Sequence, residues 1–179
     1  MVDHPFGDRL DQAWIRLSEL RQAVEAGRPW PLGTLEPDAP EARWGPPEIL
    51  AHLGEMLPYW LGELERILDR SAIGAAPTAD PTGSEPVPFG RTETDRLRIS
   101  IIERDRSLPT SELFERIRTA VGRWRDRLGS LGPGDMERRG LHGRRGAMPV
   151  AEIVERLVVG HLEDHVDQLR EAVNDPSAG

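Results

Sequence analysis

The chain has 179 residues, 37% of them apolar and 30% charged, which suits one compact domain with its own core and excludes two ordinary ones. Its 31 acidic residues outnumber the 23 basic ones for a net charge of −8, which argues against the basic face of a duplex-binding protein. It has no cysteine, and every basic residue is Arg, so disulfides, thiolate metal sites, a Cys nucleophile and a lysine Schiff base are all excluded.

No stretch reaches the roughly 18–20 uncharged apolar residues of a membrane span. Met1 to Leu10 carries charges instead of the apolar run of a signal peptide. The expectation is a cytoplasmic protein with a small-molecule substrate, no nucleic-acid partner and no membrane partner.

Four segments carry helical periodicity. The first runs from Gly7 to Ala26, with Leu10, Ala13, Trp14, Leu17, Leu20 and Val24 at three- and four-residue steps. The second opens at Pro46-Pro47, residues suited to a first turn, and runs to Leu68 with Pro58 inside, where a kink is expected. The third follows Pro109-Thr110-Ser111 and stops at Gly132-Pro133-Gly134. The fourth starts at Pro149 and ends at Asn174-Asp175-Pro176. Four amphipathic helices of matched length predict an all-α four-helix bundle over a single domain, 1–179. No strand alternation competes, and Leu97 to Ile102 reads equally as a short strand or as a helical turn. Residues 71–92 are rich in Pro, Thr, Gly, Ala and Ser and predict a long flexible loop or a lid. Residues 132–148 form a third loop with Arg138, Arg139, His142, Arg144 and Arg145.

The chemistry concentrates in the fourth helix. His161 and His165 are four apart and share one face. On a helical wheel with Val154 at zero they fall at about 340° and 20°, the middle of the apolar stripe. Two buried imidazoles need partners, since an unpaired buried polar group costs about 1–3 kcal/mol. A divalent metal satisfies both rings; carboxylates or water are the alternative. His52, about 110° off the apolar stripe of the second helix, is the candidate third ligand. Rival motifs fail: H-E-x-x-H needs Glu where Leu162 stands, H-x-x-E-H needs Glu where Asp164 stands, and no E-x-x-H exists for a di-iron bundle. Glu55, one turn after His52, is the first candidate for a base or an orienting carboxylate, ahead of Glu163 and Asp164, which point outward on helix geometry. Arg144, Arg145 and His142 are candidates to receive an anionic cofactor, because Arg binds carboxylates bidentately.

The run Trp44-Gly45-Pro46-Pro47-Glu48-Ile49-Leu50-Ala51-His52-Leu53 resembles the W-[ST]-x-x-E-[IV]-x-x-H-[LI] signature of the DinB-like superfamily, with Gly45 in place of the usual polar cap. The run from Gly140 to Gly146, through Val150-Ala151-Glu152-Ile153 to His161 and His165, is similar to that family's turn into its last helix. The resemblance implies an up-up-down-down bundle with long crossover loops, often a homodimer. It implies one divalent cation, nickel or zinc, on His52, His161 and His165. It further implies a thiol S-transferase using mycothiol or bacillithiol, or a related hydrolase, with a non-enzymatic metal-binding or stress-response bundle acting as a dimeric scaffold as the alternative. A chain without Cys suits a thiol supplied from outside.

Overall fold

The computed structural model describes residues 5–27, 29–33, 35, 41–73, 86–91 and 95–174. Four long helical rods form a bundle: α1 (Pro5–Glu19), α3 (Pro46–Ile73), α5 (Thr110–Leu128) and a composite C-terminal rod, Val150 to Asn174. α1 continues into a short α2 (Arg21–Ala26) after a turn at Leu20, where a single helix to Ala26 is expected from periodicity. α1 and α3 each pack on α5 and on the C-terminal rod, so these two consecutive rods occupy opposite corners.

Each rod buries the face its apolar spacing defines. Leu10, Ala13 and Leu17 of α1 are buried, as are Leu113, Ile117, Val121, Trp124 and Leu128 of α5. Fully burying one such side chain contributes about 1.5–3 kcal/mol. Trp124 donates its indole N–H to the Leu57 carbonyl at 2.8 Å, pinning α5 to α3 beside Pro58. α3 runs through Pro58 as one helix.

The ambiguous segment is helical. Asp95 caps α4 (Arg96–Asp105) by accepting from the Arg98 N–H, a local signal that outweighs the β-branched residues within it. The segment between α5 and the last rod is more ordered than a loop. It holds α6 (Pro133–Glu137) and two strands, β2 (Arg139–His142) and β3 (Gly146–Pro149), which pair antiparallel. β1 (Val87–Phe89) pairs parallel to β2, making a three-stranded sheet beside the bundle. Strands of three or four residues are too short for alternation to register in sequence. The expected loop or lid at 71–92 is thus part helix and part strand, and its middle, 74–85, lies outside the described residues.

Two residues fasten the connections that frame the site. Glu48, fully buried at the start of α3, accepts from the Gly33 N–H at 2.9 Å and from Arg106 Nη1 at 3.0 Å. A Cβ at position 45 would lie 3.3 Å from Glu48 Oε2, so Gly rather than a polar cap suits that place. Glu63, also buried, accepts from the Gly90 N–H at 2.8 Å and fixes the end of β1.

Candidate metal centre

The last rod is not a uniform α-helix. α7 (Val150–Ile153) passes into a π-helical turn, Val154–Val159, and then into α8 (Gly160–Asn174). The Gly160 N–H reaches back to the Glu155 carbonyl, the wider register of such a turn, and a Cβ at Gly160 would lie 3.0 Å from that same oxygen. Arg9 of α1 clamps the turn from outside, bonding Glu155 at 2.6 Å and Glu163 at 2.6 Å. Glu163 therefore faces α1, half-buried, where helix geometry predicts an outward carboxylate; Asp164 is exposed. The turn sets the phase of α8, whose first two turns present His161 and His165 to the bundle interior.

His52 is 1% exposed, not the boundary residue that a wheel of α3 alone suggests. α3 packs on α4, α5, α8 and β1, so more of its circumference is covered than one apolar stripe. The three imidazoles meet. Nε2 of His161 lies 3.1 Å from Nε2 of His52 and 2.9 Å from Nε2 of His165. Two nitrogens sharing one ion at about 2.1 Å, at angles of 90–109°, stand about 3.0–3.4 Å apart.

Hydrogen bonding alone serves these contacts poorly. The Gln168 side-chain amide donates to the Glu41 carbonyl at 2.6 Å, which leaves its oxygen facing Nδ1 of His165 at 2.7 Å. Nδ1 of His165 must therefore carry the proton, and its Nε2 presents a lone pair. If His161 Nε2 is protonated, its one hydrogen serves His165 and His52 only as a shared bond. If it is bare, it faces the lone pair of His165. A divalent cation at the meeting point accepts all three lone pairs at once.

The electrostatics keep the rings neutral. Burial, joined by the neighbouring rings, holds His52 well below its ordinary value. His161 is lowered to about 4, chiefly by burial. His165 is lowered too, by burial working against the Gln168 bond and Glu41. Trp44 packs against the group, nearly parallel to His165 with centroids 6.4 Å apart and edge-on to His52 at 5.2 Å.

Glu55 lies on the far side of His52. Its Oε2 is 4.0 Å from Nδ1, the ring nitrogen remote from the meeting point, and its other oxygen accepts from Arg91. Both Glu55 Oε2 and His52 Nδ1 are buried without a hydrogen-bond partner. At 4.0 Å the two atoms face each other without a hydrogen bond, and Glu55 stands away from the three Nε2 atoms. Arg91 also pairs with Asp95 and sits 3.6 Å over the Tyr59 ring.

A cleft of about 290 Å³ opens onto His161. Arg144, Arg145 and His142 line it, together with Glu41, Arg91 and Arg98. Of the three histidines, His161 is the one that lines the cleft, where it meets Arg144, Arg145 and His142. Burial, then Arg145 and Arg144, lowers His142 from its usual range.

Sequence reasoning missed Glu41 and Gln168. Glu41 opens a single 3-10 turn, Glu41–Arg43, and its Oε2 lies 3.8 Å from His165 Nε2. One ligand atom from each of Glu41, His52, His161 and His165 falls within 4.8 Å of the others. Gln168 had a signal, three residues after His165 on the same helical face. Glu41 had none, because it sits in a Pro-containing crossing without periodicity.

Among known proteins, the model of the DinB superfamily matches residues 9–169. Among solved structures, the chain is similar to one described as "YfiT from Bacillus subtilis is a probable metal-dependent hydrolase with an unusual four-helix bundle topology". That likeness has a TM-score of 0.60 at 17% identity and covers 96% of this chain and 87% of the other. No curated protein matches the sequence.

Proposed function

We propose that this chain, which belongs to the DinB superfamily, holds one divalent cation on His52, His161 and His165 and acts on an anionic small molecule bound in the adjacent cleft. The reaction class is metal-dependent hydrolysis or S-transfer from a low-molecular-weight thiol such as mycothiol or bacillithiol. The observation that carries the reading is the convergence of three Nε2 atoms at 2.9–3.1 Å, which their own hydrogens satisfy at best through one shared bond. Nickel and zinc both suit neutral imidazole donors.

A cation there would lower a bound water's pKa toward about 7, or hold a thiol as thiolate. The chain's own groups do the rest. Gln168 fixes the tautomer and aim of His165, and Glu55 is the carboxylate that faces Nδ1 of His52, 4.0 Å away and not hydrogen-bonded to it. Trp44 packs against His52 and His165. Arg144 and Arg145 give the cleft a cationic rim in a chain that is acidic overall, so an anionic substrate is favoured. The neighbour described as a probable metal-dependent hydrolase supports the hydrolytic arm. The absence of Cys in this chain leaves a sulfur nucleophile to come from outside, which suits the transfer arm.

One feature favours the non-enzymatic alternative: Glu41 stands close enough to the three rings to help close the coordination shell, as in a structural site. Metal-loaded protein assayed with ester and amide substrates, and with thiols and electrophiles, separates the readings. Turnover that is lost in His161→Ala supports the enzyme. Metal binding without turnover on any acceptor class supports the structural bundle.

A further inference from the structure

We propose that Glu41 is a fourth, displaceable ligand of the centre and that Arg98 is where its carboxylate goes when substrate takes its place; this rests on the metal reading above.

Glu41 sits between the rings and the cleft. Its Oε2 is 3.8 Å from His165 Nε2, and its Oε1 accepts from Arg98 Nη1. The carboxylate thus has one oxygen toward the three nitrogens and the other on a cation. Its backbone is anchored: the Glu41 carbonyl accepts from Gln168, the residue that also aims His165. The turn stays put while the side chain, 33% exposed, is the part able to move. Arg98 is 18% exposed and packs over the Trp44 ring at 5.7 Å. A guanidinium offers a planar fork that matches both oxygens of a carboxylate. Only Nη1 is engaged with Glu41 here, so Oε2 can turn from the rings to the second arm of the fork without breaking the first bond.

The cleft residues include both Glu41 and Arg98, so a ligand approaching His161 through the cleft meets this pair first. Three histidines and a carboxylate complete a four-coordinate shell and keep the resting ion from exchanging freely. An incoming thiolate or substrate oxygen displaces a ligand that already has a second partner waiting.

The test is cobalt(II)-loaded protein, whose visible spectrum reports coordination number, with 2-mercaptoethanol as the probe for the displaced position. Glu41→Gln is expected to weaken cobalt binding about tenfold, to shift the spectrum toward higher coordination by water, and to bind the probe more tightly than wild type. Arg98→Gln is expected to act with opposite sign on the probe: with no alternative partner, Glu41 stays on the ion, and probe binding weakens while cobalt binding does not. A merely structural pair would move both variants the same way. Glu41→Asp, with the charge on a shorter stem, should fall between wild type and Glu41→Gln and keeps the test usable if the Gln variant folds poorly. Cobalt affinity within twofold of wild type with an unchanged spectrum in Glu41→Gln overturns the proposal while leaving the histidine centre standing. Probe shifts of the same sign in Glu41→Gln and Arg98→Gln do the same. No cobalt uptake by wild type overturns the centre itself, and Glu41's role with it.

Discussion

The oxygen of the Gln168 side chain lies 2.7 Å from Nδ1 of His165, while the nitrogen of the same amide donates to the Glu41 carbonyl at 2.6 Å. The second bond fixes the orientation of the first, so Gln168 decides which nitrogen of His165 carries the proton. Gln168→Ala is expected to weaken zinc or nickel binding by about 10–100-fold, the usual cost of losing such a partner. Gln168→Glu keeps an acceptor for His165 and loses the donor to Glu41, and should lose less. Titration against a competing chelator reads both.

The buried histidines make apo-protein stability depend on pH. His161 is lowered from 6.5 to about 4, so between those values the unfolded chain binds more protons than the folded one. Stability is therefore lost as pH falls from 6.5 toward 4, by about 3 kcal/mol for this group alone. Urea unfolding of metal-free protein at several pH values should show that slope in wild type and a shallower one in His161→Gln. A wild type as stable near pH 4.5 as at pH 7, relative to the variant, contradicts the neutral buried cluster.

Glu48 is fully buried and holds both Gly33 and Arg106. Glu48→Ala leaves the Arg106 guanidinium, 14% exposed, with only the Gly33 carbonyl at 2.7 Å and the exposed Glu103 at 3.7 Å, and should destabilise by about 3 kcal/mol, the low end for a broken buried pair. The loss should appear in the denaturation midpoint of metal-free and metal-loaded protein alike, because Glu48 supports the crossing and not the ion.

Much of this was legible in the sequence. The bundle and the three histidines could be read because long amphipathic helices repeat their pattern over many turns, and because an i,i+4 His pair in an apolar stripe is unusual. Other features left weaker traces. The π-helical turn changes the register of Val154–Val159 without changing residue type, so a uniform wheel passes over it. The burial of His52 depends on how many elements cover α3, a tertiary fact. Glu41 reaches the rings from a crossing that has no period at all. The strands are set by contact: Gly140 is needed because a Cβ there would lie 2.5 Å from Phe89, a neighbour more than fifty positions away.

Gly90 tests the joint between that sheet and the cleft. Its φ is +94°, and a Cβ there would lie 2.9 Å from Cδ2 of His142. Gly146 also has positive φ, +76°, but open space where the Cβ would go. Both alanine variants carry backbone strain of about 1–3 kcal/mol. Only Gly90→Ala should also displace His142 and weaken binding of an anionic ligand in the cleft. Melting temperatures measure the first effect and ligand titration the second.

The most direct test of the metal centre is elemental analysis of tag-free protein after incubation with nickel or zinc and removal of free ion. One ion per chain is expected, falling to near zero in a chain with His52, His161 and His165 all replaced by Ala and its helical content retained. No ion above background in wild type, or one ion still held by the triple variant, would contradict it.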